Sequence, residues 1–299
     1  MCSSLTIDGS TEALKAMQLG ASDFIAKDPN VVGKHDPEFQ SHLLSKIHAI
    51  GGHRRRLNAP NRAKTTSSVN RSKDTLQINS NLCTSFADWI MPSNVDIVVV
   101  GSSTGGPPML EKIFTALPAS IPVPIVVAQH IPELFTKSLT QRLNRQCACG
   151  AKLADHGTSM SEPGIYIAIG GKHIKPIKVA GDKLIARTLD NLEGAMYKPS
   201  VDLLFQTAAE LYGSRVLAIQ LTGMGEDGAE GAKAIKQMGG HVIAQNEETC
   251  VVYGMPRAVV ENGSADAVLS PQDINQVLRK LFTTGSDGES EQPAIKKSA

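Results

Sequence analysis

This 299-residue sequence predicts a doubly wound α/β fold, a mostly parallel sheet with helices on both faces. Three observations carry the prediction. Apolar runs without alternation, such as Ile97-Val98-Val99-Val100, Ile125-Val126-Val127-Ala128 and Val216-Leu217-Ala218-Ile219, read as strands buried on both faces. Between them lie stretches with helical spacing, as in Met109, Ile113, Phe114 and Leu117. The runs end in turns bearing Ser103, His130 and Asp227, where a doubly wound sheet places its crevice.

Taken in order, residues 1–50 read as part of a domain. Ala13, Leu14, Ala16 and Met17 set a helix over Glu12 to Leu19, ended by Gly20. Asp23-Phe24-Ile25-Ala26 is a short strand. A second helix opens at Asp36-Pro37, carries Phe39, Leu43, Leu44 and Ile47 on one face, and stops at Gly51-Gly52. Two helices and one or two short strands are too little for a closed α/β core, so the pattern calls for more chain upstream. Residues 51–92 open with His53-Arg54-Arg55-Arg56 and turn Ser-, Asn- and Thr-rich, a flexible basic linker. Phe86, Trp89, Ile90 and Met91 close it and are expected to pack on the next domain.

Residues 93–284 form the main domain. Val95 to Val100 is its first strand, and Pro107 or Pro108 suits the first turn of the helix after it. Val123 to Ala128 is the second strand, ending at Gln129-His130, and Leu134 to Leu143 is helical. Gly164 to Ile169 is strand-like. Ile174 to Val179 and Lys183 to Thr188, joined by Ala180-Gly181-Asp182, form an inserted β-hairpin. Pro199 or Ser200 caps a helix reaching Leu211. Val216 to Leu221 is a strand, Ala229 to Met238 a helix, His241 to Ala244 a strand and Ala267 to Leu269 another. A helix from Pro271 to Phe282 ends the domain, and the polar residues 285–299 read as a disordered tail.

Composition narrows the function. A net charge of +1 gives no argument for nucleic acid, and 4% aromatics disfavours a base-stacking surface. Five scattered cysteines, an odd number, suit a reducing compartment. Cys147 and Cys149 are close, but no second Cys/His pair completes a zinc pattern, so no metal and no cofactor are expected. No signal segment opens the chain and no apolar run approaches ~20 residues, which reads as a cytoplasmic protein without membrane insertion.

The turn Gly101-Ser102-Ser103-Thr104-Gly105-Gly106 admits three chemistries. Its amides and the helix dipole could hold a phosphate. Gly101 to Gly105 fits the G-x-S-x-G nucleophile elbow. A bare Gly/Ser turn is the third. No G-x-G-x-x-G or G-x-x-x-x-G-K-[ST] supports a nucleotide. Ser103, His130 and Asp227 each have a bland role: helix cap, packed histidine among eight in the chain, helix cap. Their joint placement at three strand ends favours a serine activated by an imidazole that a carboxylate orients. The order Ser, His, Asp differs from that of α/β-hydrolases.

Five segments make the chemistry specific: Gly101 to Gly106, Gln129-His130-Ile131-Pro132, Pro199-Ser200-Val201-Asp202-Leu203-Leu204-Phe205, Leu221-Thr222-Gly223-Met224-Gly225-Glu226-Asp227-Gly228, and Val251-Val252-Tyr253-Gly254-Met255-Pro256. In this order and spacing, residues 95–282 resemble the catalytic domain of bacterial chemotaxis protein-glutamate methylesterases. Residues 1–50 resemble the end of a flavodoxin-like response-regulator receiver domain, with Ser3 in its signalling position and Lys27 as its phosphate-contacting lysine. Asp28 replaces the proline that usually comes next, and the phosphoacceptor segment is absent from these residues.

The resemblance implies Ser103 as nucleophile, His130 as base and Asp227 as its orienter, with the Met224 amide and Thr104 at the oxyanion. It implies methylated glutamates on the cytoplasmic helices of chemoreceptors as substrates, and deamidation of receptor glutamines in related members. A histidine kinase would be a partner only through a complete receiver domain. The truncated fragment is expected to be mobile or to lie loosely against the catalytic domain, and to respond to no phosphodonor. The rival is a non-catalytic module, binding a nucleotide in a Rossmann-like crevice or binding receptors alone.

Overall fold

The computed structural model describes residues 1–4, 7–27, 37–57, 82–92 and 94–284. Asp28, most of the expected linker and the expected tail lie outside the described residues, as do the side chains of Ser3 and Lys27. The first elements are β1 (Cys2–Ser4), α1 (Ile7–Gln18), β2 (Ile25–Lys27), α2 (Pro37–Leu57) and a 3-10 turn, Phe86–Asp88. The main domain begins with β3 (Ile97–Ser102), α3 (Gly106–Phe114), β4 (Ile125–Gln129), α4 (Glu133–Gln146), β5 (Ala151–Ala154) and β6 (Ile165–Ala168). It continues with β7 (His173–Val179), β8 (Lys183–Leu189), α5 (Val201–Tyr212), β9 (Val216–Gln220), α6 (Ala229–Gln237) and β10 (His241–Gln245). Last come α7 (Met255–Glu261), β11 (Ala267–Leu269) and α8 (Pro271–Thr284).

Seven strands form one sheet in the order β11-β10-β9-β3-β4-β6-β5, and every pairing is parallel. The unbroken apolar runs behave as expected of strands buried on both faces. Val98 and Val100 join the core under α3, α4 and α8, while Ile97 and Val99 join the core under α5, α6 and α7. The hairpin β7–β8 stands apart as a two-stranded antiparallel sheet and packs Ile174, Leu184 and Ala186 into the second core. The chain leaves β3 on one side to build β4, β6 and β5, and on the other to build β9, β10 and β11. The strand order therefore reverses at β3, so the C-terminal ends of β4, β3 and β9 border the crevice.

Three expectations are corrected. The amino-terminal segment does not lie loosely. Ala13, Leu14, Met17 and Phe24 are buried in the same core as α3 and α4, and the Phe24 ring stacks on Phe135 with centroids 4.2 Å apart. Ser10 and Ser138 hydroxyls pair at 2.6 Å, and Gln18 donates to Glu111 at 2.6 Å. The main-domain helices supply the apolar surface that β1 and β2, a lone parallel pair, cannot provide. Leu44 and Ile47 of α2 do stay exposed.

The second correction is that α2 runs through Gly51-Gly52 to Leu57, so the basic run begins inside a helix. Each glycine costs such a helix only about 1 kcal/mol, and no proline stops it. The third is Ile90, which is exposed, whereas Trp89 is buried as expected. The linker's end is nonetheless anchored: the Cys83 amide donates to Asp266 O at 3.1 Å and Cys83 O accepts from the Val268 amide at 2.8 Å, along the free edge of β11. The short elements β5 and α7 had no clear pattern in the sequence.

Phe24→Ala removes the stack on Phe135, a truncation expected to cost about 3 kcal/mol. Limited proteolysis should then cut within residues 1–57 well before the main domain, whereas an unchanged cleavage pattern would mean the stack does not hold the segment.

Candidate active site

The residue after β3 is Ser103 and the residue after β4 is His130. The two strands pair with Ser102 opposite Gln129, and the His130 amide donates to Ser102 O at 3.0 Å, so Ser103 and His130 leave the sheet side by side. On the other flank β3 pairs with β9, and the Ser103 amide donates to Thr222 O at 3.0 Å. Asp227 sits near the end of the loop after β9, with Gly228 between it and α6. Three adjacent strands thus deliver the three residues singled out by the sequence.

The turn holding Ser103 is pinned by Gln129, a wholly buried side chain. Its Oε1 accepts from Ser102 Oγ at 2.6 Å, and its Nε2 donates to Ser103 O at 2.9 Å. Gly106 is required here because a Cβ would fall 1.9 Å from Gln129 Oε1. Gly105, at φ +80°, turns the chain into α3. Ser102 is therefore a buried structural hydroxyl. Ser103 is half-buried, and its Oγ makes no hydrogen bond among the described residues.

His130 and Asp227 are largely buried and joined at 2.8 Å, His130 Nε2 to Asp227 Oδ2. An ionised carboxylate only accepts, so Nε2 carries the proton, and in the neutral ring the lone pair is on Nδ1. That Nδ1 is buried and has no partner among the described residues. The Tyr197 ring stacks on the imidazole, with centroids 4.6 Å apart and planes 15° from parallel. Of the four histidines of this domain, His130 alone bonds a carboxylate. His173 is buried with both ring nitrogens unpartnered, and burial lowers its pKa, with Lys198 adding to the effect. His156 is exposed beside Thr188, and His241 meets Trp89 edge-on.

Asp227 is held by the start of α5. Its Oδ2 also accepts from the Val201 amide at 2.8 Å, and its Oδ1 accepts from the Asp202 amide at 2.9 Å and Ser200 Oγ at 3.2 Å. Burial opposes its charge. The hydrogen bond and charge of His130, with the amides of Asp202 and Val201, outweigh that and hold the carboxyl below its usual range. A pocket of about 600 Å³ adjoins it, lined by Leu192, Tyr197, Leu203, Gln206 and Glu226 among others.

The Met224 amide, in the loop after β9, makes no hydrogen bond among the described residues, and neither does the Thr104 amide. The Thr104 hydroxyl is occupied: it donates to Asp23 Oδ2 at 2.7 Å, while Asp23 also pairs with Lys46. Of the Thr104 amide and hydroxyl, the amide is the one left available. Tyr197 and Gln129 had no role in the sequence analysis. Gln129 stood in a quoted motif, whereas nothing before folding marks Tyr197. Cys147 and Cys250 are poor nucleophiles: burial pushes Cys147 up to about 12 and Cys250 well above its usual value. Among the described residues no cluster of His, Cys, Asp and Glu could hold a metal ion.

Ser102→Ala should cost about 1 kcal/mol of stability, because it leaves the buried Gln129 oxygen short of a donor. Ser103→Ala should leave the melting temperature nearly unchanged. Thermal melts of the two variants check the contrast, and a reversed order would mean that Ser103 is the structural hydroxyl.

Residues 98–278 match the family model described as CheB methylesterase. The chain is 38% identical over 290 residues to protein-glutamate methylesterase/protein-glutamine glutaminase 1 of Oleidesulfovibrio alaskensis, covering 93% of this chain and 77% of that one. It is 39% identical over 278 residues to the protein of the same name from Vibrio cholerae, covering 88% and 73%. The crystal structure of the Thermotoga maritima CheB methylesterase catalytic domain superposes with a TM-score of 0.60 at 44% identity, over 63% of this chain and 99% of that one.

Proposed function

The chain belongs to the CheB methylesterase family, and from that premise we propose that Ser103, His130 and Asp227 carry out the hydrolysis of glutamate γ-methyl esters. One feature supports the assignment above the others. His130 presents a buried, unpartnered Nδ1 while Asp227 holds its Nε2–H, and the pairing of β3 with β4 sets Ser103 and His130 at adjacent strand ends. Ser103 Oγ attacks the ester carbonyl carbon as its proton passes to Nδ1. The Met224 and Thr104 amides receive the developing oxyanion. His130 then returns the proton to the departing methoxide, methanol leaves, and the glutamyl group remains on Ser103. A water deprotonated by His130 cleaves that acyl-enzyme to glutamate and free serine. Asp227 stays ionised throughout and stabilises the imidazolium. A glutamine side chain takes the same path with ammonia as the leaving group.

The enzyme is a protein-glutamate methylesterase, and its reaction serves adaptation in chemotaxis-type signalling by demethylating chemoreceptors. Their cytoplasmic helices are the partner surface, which places the enzyme in the cytoplasm. No helix among the described residues is long and apolar enough to cross a membrane. With α2 included, residues 1–57 are read as part of a receiver domain, 58–92 as its linker and 93–284 as the catalytic domain. The bond from Thr104 to Asp23 couples the first of these to the residue beside the nucleophile.

Ser103→Ala should abolish methanol release from methylated receptor membranes, and a fluorophosphonate should acylate wild type but not the variant. Labelling that persists in Ser103→Ala would overturn the assignment. A melting temperature raised by a nucleotide, with no labelling at all, would favour the binding module instead. Activity should fall in acid, because a protonated imidazole cannot accept the serine proton; a flat profile would remove histidine from the mechanism. Asp23→Ala frees the Thr104 hydroxyl and should raise methanol release a few-fold, whereas an unchanged rate would mean the contact does not restrain the site.

A further inference from the structure

The helices α5 and α6 exchange carboxylates. Asp227, just before α6, accepts from the Val201 and Asp202 amides at the start of α5. Asp202, in the first turn of α5, returns the arrangement: its Oδ1 accepts from the Gly228 amide at 3.0 Å and the Gly231 amide at 2.7 Å, at the start of α6. Gly228 is the residue before α6, has φ +104° and no side chain of its own with which to cap it. Asp202 is thus the side chain that caps α6, from another helix. Each carboxylate faces the positive end of the other's helix.

The two caps act on one another. The turn Gly225 to Gly228 carries Asp227, and its exit into α6 is fixed by the two bonds to Asp202 Oδ1. The Asp202 backbone in turn supplies one of the four donors that hold the Asp227 carboxylate. A shift of this turn moves Asp227 Oδ2 relative to His130 Nε2, and the 2.8 Å bond between them sets both the ring orientation and the free Nδ1.

We propose that Asp202 is a positioning residue for the hydrolysis, fixing the turn that carries Asp227 and, through Asp227, the orientation and charge of His130. The proposal rests on the Ser103–His130–Asp227 assignment above. Asp202 touches neither Ser103 nor His130 among the described residues, so its effect is indirect. The charged group facing it is Asp227; Glu193 and Glu226 line the same pocket, and Tyr197 stands between that pocket and His130. Burial pushes the Asp202 carboxyl up to about 6, the Gly231 and Gly228 amides oppose the shift, and the Asp227 charge reinforces it. Ionised Asp202 therefore adds a second negative charge behind the imidazole. That charge favours the protonated ring formed during the reaction.

The two contributions separate in two variants. Asp202→Asn keeps an Oδ1 able to accept both amides and loses only the charge. Methanol release should fall by about threefold, and the acid limb of kcat/KM should move to lower pH, because removing a negative charge favours the neutral imidazole. Asp202→Ala loses both bonds and should lower kcat by about thirtyfold or more, with KM little changed. Placed on Asp227→Asn, which by itself should cut turnover by about 10⁴-fold, Asp202→Ala should add almost nothing, since both act through one carboxylate. Melting temperatures are recorded alongside. A loss of activity in Asp202→Ala that is fully multiplicative with that of Asp227→Asn would overturn the proposal, as would an acid limb unmoved in Asp202→Asn. Near wild-type activity in Asp227→Asn would instead overturn the triad assignment, and this inference with it.

Discussion

The geometry of the site depends on a single buried carboxylate. Asp227 receives four donors: two backbone amides of α5, a serine hydroxyl and the imidazole of His130. A buried charge is tolerated only when its lone pairs are taken up in this way. The consequence runs outward in both directions. Toward the substrate, a fixed carboxylate fixes the histidine tautomer and leaves Nδ1 as the free base. Toward the core, the same bonds tie the loop after β9 to the start of α5, so Asp227 also joins two helices. A mobile aspartate in this position would lose the histidine and the helix contact together.

The sheet supplies a second, neutral layer of support. β4, β9 and β10 each end in a wholly buried glutamine: Gln129, Gln220 and Gln245. Gln129 spans the two serines after β3. Gln220 donates to Gly101 O at 3.2 Å, and Gln245 accepts from the Thr222 amide at 2.9 Å and donates to Thr249 O at 3.0 Å. Each amide bonds backbone groups in or beside the turns after the strands, although Gln220 Oε1 is buried with no partner among the described residues. Such networks specify one arrangement because any slip would bury an unpaired group.

The segments before the catalytic domain are fastened at two separate places. Residues 1–27 use apolar surface on α3 and α4, with the Phe24–Phe135 stack at its centre and Asp23 reaching Thr104. The linker's end uses backbone hydrogen bonds at the far edge of the sheet, where Cys83 extends β11, and the burial of Trp89. The first attachment meets the crevice side of the domain and bears on the nucleophile; the second covers a sheet edge that would otherwise offer unpaired amides.

The sequence by itself determined the parts that rest on local pattern. Unbroken Val/Ile runs at 97–100, 125–128 and 216–219 can only be satisfied by burial on both faces, which specifies a parallel sheet under two helix layers, and its chemistry then falls at the strand ends. Ser103 and His130 stood out because each directly follows a strand, and Asp227 because it lies in the turn between β9 and α6. The docking of the amino-terminal segment was not legible, since its apolar residues gain a partner only from α4, more than a hundred residues later. Nor were Tyr197 on the His130 ring and Asp202 at the start of α6. Both act across elements distant in the chain, and their side chains look like an ordinary loop tyrosine and a first-turn aspartate until the helices pack. Which nitrogen of His130 is free, and which group of Thr104 remains available, depend on distances between residues about one hundred positions apart, which only the tertiary structure decides.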